Sequence, residues 1–251
     1  MKTAYVASLL VGVILSIIYV FQASYSSMMS LISNVLFLVL SSAAVSSATI
    51  ALKKYWKDLK DKYSQIWLFF TMGLLLWLIS KVVWSVYTMP PNATMPYPSF
   101  ADAIWLAGYV PVFAALHAYL RSFGFSLSKI RYSAFALIVS FVLLGCFILL
   151  VPPVVAASEK GMTVLLSLVY LGLDLSLLSL SIHGLFVFFS GRIGVAWAFV
   201  SGALFLNAIG DILFSYAIQT NAYYSGHALE LIFHLSYILC TLAFYTHVKE
   251  L

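Results

Sequence analysis

The chain has 251 residues, of which 63% are hydrophobic and 8% are charged. Soluble domains carry about 25% charged residues, so this composition excludes a water-soluble globular protein. The net charge of +5 comes from 13 Lys and Arg against 8 Asp and Glu. Because the chain is so apolar, this net positive charge indicates membrane topology rather than affinity for nucleic acid.

Eight apolar runs are long enough to cross a bilayer, which takes about 20 helical residues. They are 4–23, 29–52, 65–88, 100–121, 131–152, 161–190, 194–218 and 225–248. Runs such as VLFLVL and LLLWLI are apolar on every face, whereas strands of a membrane barrel alternate. The first run is too long for a signal peptide. We therefore predict an all-α polytopic membrane protein with eight transmembrane helices.

Basic residues predict the orientation. An even number of spans puts both termini on one side of the membrane, and lysine and arginine mark the cytoplasmic side. The opposite side carries Lys160, whereas the terminal side carries Lys2, Lys53, Lys54, Lys57, Lys60, Lys62, Arg121, Lys129, Arg131, Arg192 and Lys249. We predict a multi-pass protein of the cell membrane with cytoplasmic termini. The external loop 89–99 contains Asn92-Ala93-Thr94, a glycosylation acceptor pattern that also arises by chance.

The second half of the chain repeats the first, since residues 71–121 align with 201–249. The aligned pairs are Trp84 with Phe214, Asp102 with Glu230, Trp105 with Phe233, Tyr109 with Tyr237, and Arg121 with Lys249. Because each copy holds four helices, we predict parallel repeats, 1–125 and 126–251, within one membrane domain. At one buried position the copies differ in charge, with Lys81 in the first and Asp211 in the second.

Ionisable side chains inside a membrane are costly and usually mark function. A rise of 1.5 Å per residue puts Lys81 and Asp211 about 10 Å below the external surface, with Asp174 nearer the middle. On the last helix, Glu230, His234 and Tyr237 share one face with Gly226. We predict an outward-opening aromatic and charged cavity that binds a ligand through Lys81, Trp84, Asp102, Trp105, Tyr109, Asp211, Glu230, His234 and Tyr237.

A purely structural role for these charges stays open, in which Lys81 pairs with Asp211 or Glu230 to lock the two halves together. Cys146 and Cys240 show no metal or disulfide spacing and are interpreted as apolar core residues.

No metal or cofactor is predicted. A haem between helices requires a facing pair of histidines; His117 and His183 are the candidate pair, which we disfavour. His227, Glu230 and His234 could supply three zinc ligands, but the positive charge of Lys81 argues against a cation. The predicted partners are membrane lipids, together with a protein partner or a larger membrane complex, and not nucleic acid.

Two families resemble parts of the chain. The stretch Pro98-Ser99-Phe100-Ala101-Asp102, with Trp105-Leu106 and Gly108-Tyr109, resembles the PSxADxxYLxGY signature of multi-helix membrane sensor modules in archaeal and bacterial histidine kinases and diguanylate cyclases. That resemblance implies a sensor. No kinase or cyclase output domain follows in this sequence, so signalling through a partner is expected.

The second resemblance lies in the last two helices. Gly210-Asp211, Gly226, His234 and Tyr237 are similar to a pattern of the lysoplasmalogenase family. Those eight-helix membrane enzymes are thought to hydrolyse vinyl-ether lipids with two intramembrane aspartates. The equivalent of the first aspartate here is Lys81, and Asp211 with Glu230 or Asp174 could substitute. If the protein is such a hydrolase, the catalytic candidates are Asp211, Glu230 and His234.

Three functions therefore remain as hypotheses. The first is binding of a small or lipidic ligand by a sensor-like module or complex subunit. The second is intramembrane lipid hydrolysis. The third is transport of a small solute, against which the helices show no matching pair of Gly/Pro breaks.

Overall fold

A computed structural model describes residues 2–55, 61–88, 98–122, 129–156, 161–188 and 194–250. The described residues form eight α-helices and no strand. In chain order these are α1 Lys2–Val20, α2 Ser26–Lys53, α3 Lys62–Thr88, α4 Phe100–Ser122, α5 Lys129–Ala156, α6 Gly161–Phe188, α7 Val195–Gln219 and α8 Glu230–Glu250. A short 3-10 helix, Gln22–Tyr25, connects α1 to α2. The predicted all-α class is confirmed, whereas Asn92 and most of the loop around it lie outside the described residues.

The protein is a multi-pass membrane protein. Within the described ranges, seven of the helices are long and apolar enough to cross a bilayer, not the eight predicted. The exception is α5, whose described apolar run, Ala136–Leu149, is shorter. Large apolar side chains cover the outside of the bundle, among them Leu9 at 68% and Phe141 at 79% exposed. Such side chains are stable on a surface when the surrounding solvent is hydrocarbon.

The last helix begins later than predicted. A start at 225 is wrong because the chain between α7 and α8 turns sharply, with left-handed backbone at Asn221 (φ 55°) and Gly226 (φ 88°). A residue in that conformation cannot continue a right-handed helix. Glu230 therefore becomes the first residue of α8.

Helix packing determines where polar side chains can meet. Helix α3 packs on α4, α7 packs on both α6 and α8, and α2 packs on α3 and α8. Helix α1 contacts α8, α5 contacts α6 and α7, and α4 contacts α6. The close approach of α3 to α4 requires a glycine, because a Cβ at Gly108 would lie 2.5 Å from Cδ1 of Trp77. The helices α2, α4, α6, α7 and α8 thereby bring their polar residues into the interior.

Candidate functional site

The polar side chains of the bundle form two clusters. The glutamate cluster consists of Tyr19, Ser33, Lys81, Tyr223, Glu230 and His234. The aspartate cluster consists of Tyr109, Asp174, Asn207 and Asp211. Of the charged residues that the sequence predicted around one cavity, Lys81 and Glu230 thus lie in the glutamate cluster, Asp211 lies in the aspartate cluster and Asp102 lies in neither.

The carboxylate of Glu230 is held by three donors. The Tyr223 hydroxyl donates at 2.6 Å and the Gly226 backbone N–H at 2.9 Å, and the Ser33 hydroxyl donates to the other oxygen. Ser33 also contacts the Tyr19 hydroxyl at 2.6 Å. A negative charge is favourable at this position because it lies at the N-terminus of α8. Glu230 therefore ties α8 to α2 and to the preceding turn.

Tyr223 acts as a donor to that carboxylate. Burial, followed by the negative charge of Glu230, raises the pKa of Tyr223. Its phenol therefore keeps its proton at physiological pH and can donate it.

His234 is fully buried and faces backbone. Its Nδ1 lies 2.5 Å from the carbonyl oxygen of Glu230 and its Nε2 lies 3.3 Å from that of Ser33. The ring packs against Tyr19 and Phe37, with centroids 5.7 Å apart in both cases. Both nitrogens of His234 thus face carbonyl groups, which suits a residue that holds α8 against α2.

Lys81 belongs to the glutamate cluster. Its Nζ lies 4.1 Å from the centre of the Phe37 ring, the geometry of a cation–π contact. Its electrostatic interaction is with Glu230. Lys81 thus lies over the Phe37 ring of α2, where Glu230 is the carboxylate that acts on its charge.

The aspartate cluster brings two carboxyl groups to one phenol. The hydroxyl of Tyr109 donates to Asp174 Oδ1 and lies 3.5 Å from Asp211 Oδ2. The amide of Asn207, one turn before Asp211 on α7, donates to the same Oδ2 at 2.8 Å. Tyr109, Asp174 and Asn207 are each at most 2% exposed, and Asp211 is half-buried.

The two aspartates influence each other electrostatically. Their hydrogen bonds come from neutral groups, the phenol of Tyr109 and the amide of Asn207. Two ionised carboxylates this close repel each other, and both have lost water on burial. Such a pair is the arrangement in which one carboxyl group can hold a proton while the other is ionised.

Two residues of the sensor-like motif, Ser99 and Asp102, have a structural role at the start of α4. Ser99 and Asp102 form a capping box, in which the Asp102 carboxylate accepts from the Ser99 backbone N–H at 2.7 Å and from its hydroxyl at 2.6 Å. The hydroxyl of Tyr170 on α6 lies 3.1 Å from the other oxygen of Asp102. Asp102 therefore fixes the first turn of α4 and joins it to α6.

The tryptophans occupy different surroundings. Trp105 stacks on Trp77 with ring centroids 5.9 Å apart, and its carbonyl accepts from Trp77 Nε1 at 3.2 Å. Trp84 is half-buried on α3, and the contacts that define the two clusters do not include it. Trp105 thus packs α3 against α4.

Tyr237 is buried and packs on Phe37, with ring centroids 5.3 Å apart.

An apolar groove lies between helices α5, α6 and α7. It has a volume of about 420 Å³ and is lined by Ile138, Val142 and Cys146 of α5, Leu178, Ile182 and Leu185 of α6, and Phe205, Ile209, Ile212 and Leu213 of α7. Leu178 is one helical turn beyond Asp174, and Ile212 follows Asp211 directly. The groove is therefore formed in part by α6 and α7, the two helices that carry the aspartates, and its lining residues do not include either aspartate.

No protein-family model, curated protein or solved structure matched the chain.

Among the described residues, no group of three or more His, Cys, Asp and Glu is placed to hold a metal ion. Of the three zinc candidates, His227 Nδ1 accepts from the backbone N–H of Leu229, while Glu230 and His234 have the partners given above. Of the haem candidates, His117 is exposed on α4 and His183 is buried on α6.

The partnership of Asp174 with Tyr109 was not predicted. Asp174 stood out in the sequence as a mid-membrane carboxylate. However, the repeat alignment is weak in α2 and α6, so no partner could be assigned to it. Ser33, Tyr19, Tyr170 and Tyr223 are hydroxyl groups in apolar or loop segments and carry no pattern of their own.

Proposed function

We propose that this membrane protein hydrolyses a lipid, with Asp174 and Asp211 as its general acid and general base. The observation that carries the proposal is the phenol of Tyr109, which donates to Asp174 and lies 3.5 Å from Asp211. Acid–base hydrolysis commonly uses two carboxyl groups in unequal environments, one protonated and one ionised.

Burial favours a division of roles between the two. Asp174 is 2% exposed, whereas Asp211 is half-buried and accepts from an amide. Loss of water disfavours the charged form of a carboxyl group. We propose that the proton of the pair rests on Asp174 and the negative charge on Asp211.

The proposed substrate class is a vinyl-ether lipid, in line with the resemblance of Gly210-Asp211, Gly226, His234 and Tyr237 to the lysoplasmalogenase family. The acid protonates the carbon–carbon double bond, and the resulting oxocarbenium ion adds the oxygen of water. The base takes the proton that this water loses. The hemiacetal then collapses to an aldehyde and an alcohol, in which the hemiacetal hydroxyl loses one proton and the leaving oxygen gains one. The single proton of the pair, now on the base, passes back to the acid. In this chain the second aspartate comes from α6, since Lys81 occupies the position aligned with Asp211.

The groove between α5, α6 and α7 supplies a place for the lipid chain. Its ten lining residues are apolar, and its volume of about 420 Å³ falls within the range of ligand pockets. The helices that form it are surrounded by bilayer, so the hydrocarbon chain of a lipid is the occupant we propose. That occupant would pack on α6 and α7, the helices that carry the two aspartates.

Turnover by purified protein tests the proposal. The protein in nanodiscs is given a 1-alkenyl lysophospholipid, and the released aldehyde is measured. We expect Asp174→Asn and Asp211→Asn each to lower kcat/KM by about a hundredfold or more, the usual contribution of general acid–base catalysis. The double variant should lose little more than either single variant, because the two groups act as a unit.

Asp102→Asn is the matched control, since it also removes a carboxylate from the bundle but lies outside the pair. It should keep turnover within a few-fold of wild type. Wild-type turnover in Asp174→Asn or Asp211→Asn would refute the acid–base assignment. Loss of turnover in both, with folding retained, would exclude a module that only binds a ligand.

The second candidate is ligand binding by a sensor-like module. One observation favours it: two motif residues, Asp102 and Tyr109, both contact α6, through Tyr170 and Asp174. A ligand that displaced either contact would separate α4 from α6. This candidate predicts a lipid or small molecule that changes Trp fluorescence without being consumed, and a protein partner that reads the change.

We also propose the 4+4 duplication, with units 1–125 and 126–251. Two pairs of helix contacts correspond between the units. Helix α3 packs on α4 as α7 packs on α8, and α2 packs on α8 as α6 packs on α4. Trp67 and Trp197 are separated in the sequence by the same number of residues as Lys81 and Asp211, and their rings contact each other with centroids 4.7 Å apart. Such a contact is expected where two equivalent residues meet at a pseudo-twofold axis.

Cytoplasmic termini remain the proposed orientation, supported by the lysines and arginines on the terminal side. A cysteine introduced at Ser99 should then react with a membrane-impermeant maleimide added to intact cells. A cysteine at Lys249 should react only after the membrane is opened. The reverse pattern would overturn the orientation.

A further inference from the structure

The hydroxyl of Tyr237 is a buried donor without a partner. The side chain is 1% exposed, and its Oη has no hydrogen bond to the protein. Leaving a buried hydroxyl unpaired costs about 1–3 kcal/mol. A molecule other than the protein is the natural partner for such a group.

The tyrosine that aligns with Tyr237 in the first half of the chain has a partner that Tyr237 lacks. Tyr237 aligns with Tyr109, whose hydroxyl donates to Asp174 of α6. Tyr237 instead packs against the Phe37 ring of α2, with centroids 5.3 Å apart. A phenyl ring accepts no ordinary hydrogen bond, so the second copy has the donor but not the carboxylate.

Asp211, half of the proposed acid–base pair, lies on the helix that packs against α8. A Cβ at its neighbour Gly210 would lie 2.8 Å from Cε1 of Phe233, one turn before Tyr237. The neighbourhood of Tyr237 Oη therefore offers a phenol donor and a carboxylate. A buried water is stable where it finds two or more such partners.

We infer that Tyr237 holds the water molecule consumed in hydrolysis, with its hydroxyl on the water oxygen and Asp211 as the acceptor of the water proton. This inference rests on the proposed function. The water oxygen forms the new bond to the lipid carbon as the water O–H bond breaks, and that proton goes to the Asp211 carboxylate. Tyr237 keeps its own proton throughout and acts as a positioning residue.

Two measurements on Tyr237→Phe test the inference, with Tyr245→Phe as the control. Tyr245 lies two turns further along α8, at 36% exposed on the outside of the bundle. We expect Tyr237→Phe to lower kcat by about tenfold to a hundredfold, the lower part of the range for acid–base catalysis. Its KM for the lipid should stay within twofold, because the hydroxyl contacts water and not the lipid. Tyr245→Phe should match wild type in both constants.

The second measurement is a high-resolution structure of the wild type and of Tyr237→Phe in nanodiscs. Density for a water within hydrogen-bonding distance of Tyr237 Oη, absent from the variant, supports the inference. Absence of that water in the wild type, or a wild-type kcat in Tyr237→Phe, overturns it. If Asp174→Asn and Asp211→Asn keep full turnover, the acid–base proposal fails, and the density alone then decides whether Tyr237 binds water.

Discussion

Replacing Gly226 by alanine should destabilise the protein strongly, because this residue combines a left-handed backbone with a close helix contact. Its φ is 88°, a conformation that L-residues adopt at a cost of about 1–2 kcal/mol. A Cβ at this position would lie 2.9 Å from the carbonyl carbon of Met29 and 3.0 Å from the backbone nitrogen of Ser30. The obstacle is helix backbone, which cannot rotate away as a side chain can.

The two effects together give the expected magnitude. Forcing extra volume into a packed interior costs about 1–3 kcal/mol, which with the backbone term makes about 2–5 kcal/mol for Gly226→Ala. The true loss should lie toward the upper end. Separating the turn from α2 would also weaken the hydrogen bond from the Gly226 N–H to Glu230, which measures 2.9 Å.

Thermal unfolding of the detergent-solubilised protein, followed by tryptophan fluorescence, measures this loss. Gly172→Ala is the matched control, because a Cβ there would meet no heavy atom within 4 Å and the residue lies inside α6. The control should be unchanged or more stable by about 0.5–1 kcal/mol, the usual gain from alanine in a helix. Equal Tm values for Gly226→Ala and wild type would refute the reasoning.

Four further outcomes are expected. Tyr109→Phe should destabilise by about 1–3 kcal/mol, because it leaves buried Asp174 without its donor, and it should lower turnover as well; denaturant unfolding and aldehyde release measure these effects. Ser99→Ala should cost about 1 kcal/mol in thermal unfolding, because it removes the hydroxyl that donates to the Asp102 carboxylate and accepts from the Asp102 N–H, whereas Ser122→Ala, at the other end of α4, should cost less. The exchange Lys81→Asp with Asp211→Lys should not rescue the single variants in a thermal-stability assay, because the two residues belong to different clusters; recovery of the wild-type Tm would show that they pair. Folding raises the pKa of Tyr223, so the stability that its protonated phenol contributes is complete below the unfolded pKa of about 10 and falls as pH rises above that value. Tyr223→Phe should therefore show a weaker alkaline loss of Tm than wild type.

The sequence was sufficient to predict the helices and several local contacts. The face of α8 that carries Glu230, His234 and Tyr237 is buried as its spacing predicted. Helix bounds follow from the apolar runs, since a bilayer requires continuous apolar segments. The late start of α8 was missed because the positive φ of Gly226 depends on its contact with α2.

The pairing of polar residues could not be predicted, for a physical reason. Helices in a membrane are apolar on all sides, so no amphipathic stripe indicates which face packs against which neighbour. Lys81 and Asp211 are aligned in the sequence, yet Lys81 lies over the Phe37 ring and Asp211 lies near the Tyr109 hydroxyl that Asp174 accepts from. The neighbouring side chain that each residue meets depends on helix packing.

Infrared spectroscopy of the protein in nanodiscs at neutral pH tests most directly whether Asp174 and Asp211 form an acid–base pair. A protonated carboxyl group gives a C=O stretching band that an ionised one lacks. We predict one such band in the wild type that is lost in Asp174→Asn, shifted or lost in Asp211→Asn, and unchanged in Asp102→Asn. A wild-type spectrum without the band, or a band that persists unchanged in both pair variants, would contradict the shared proton on which the account depends.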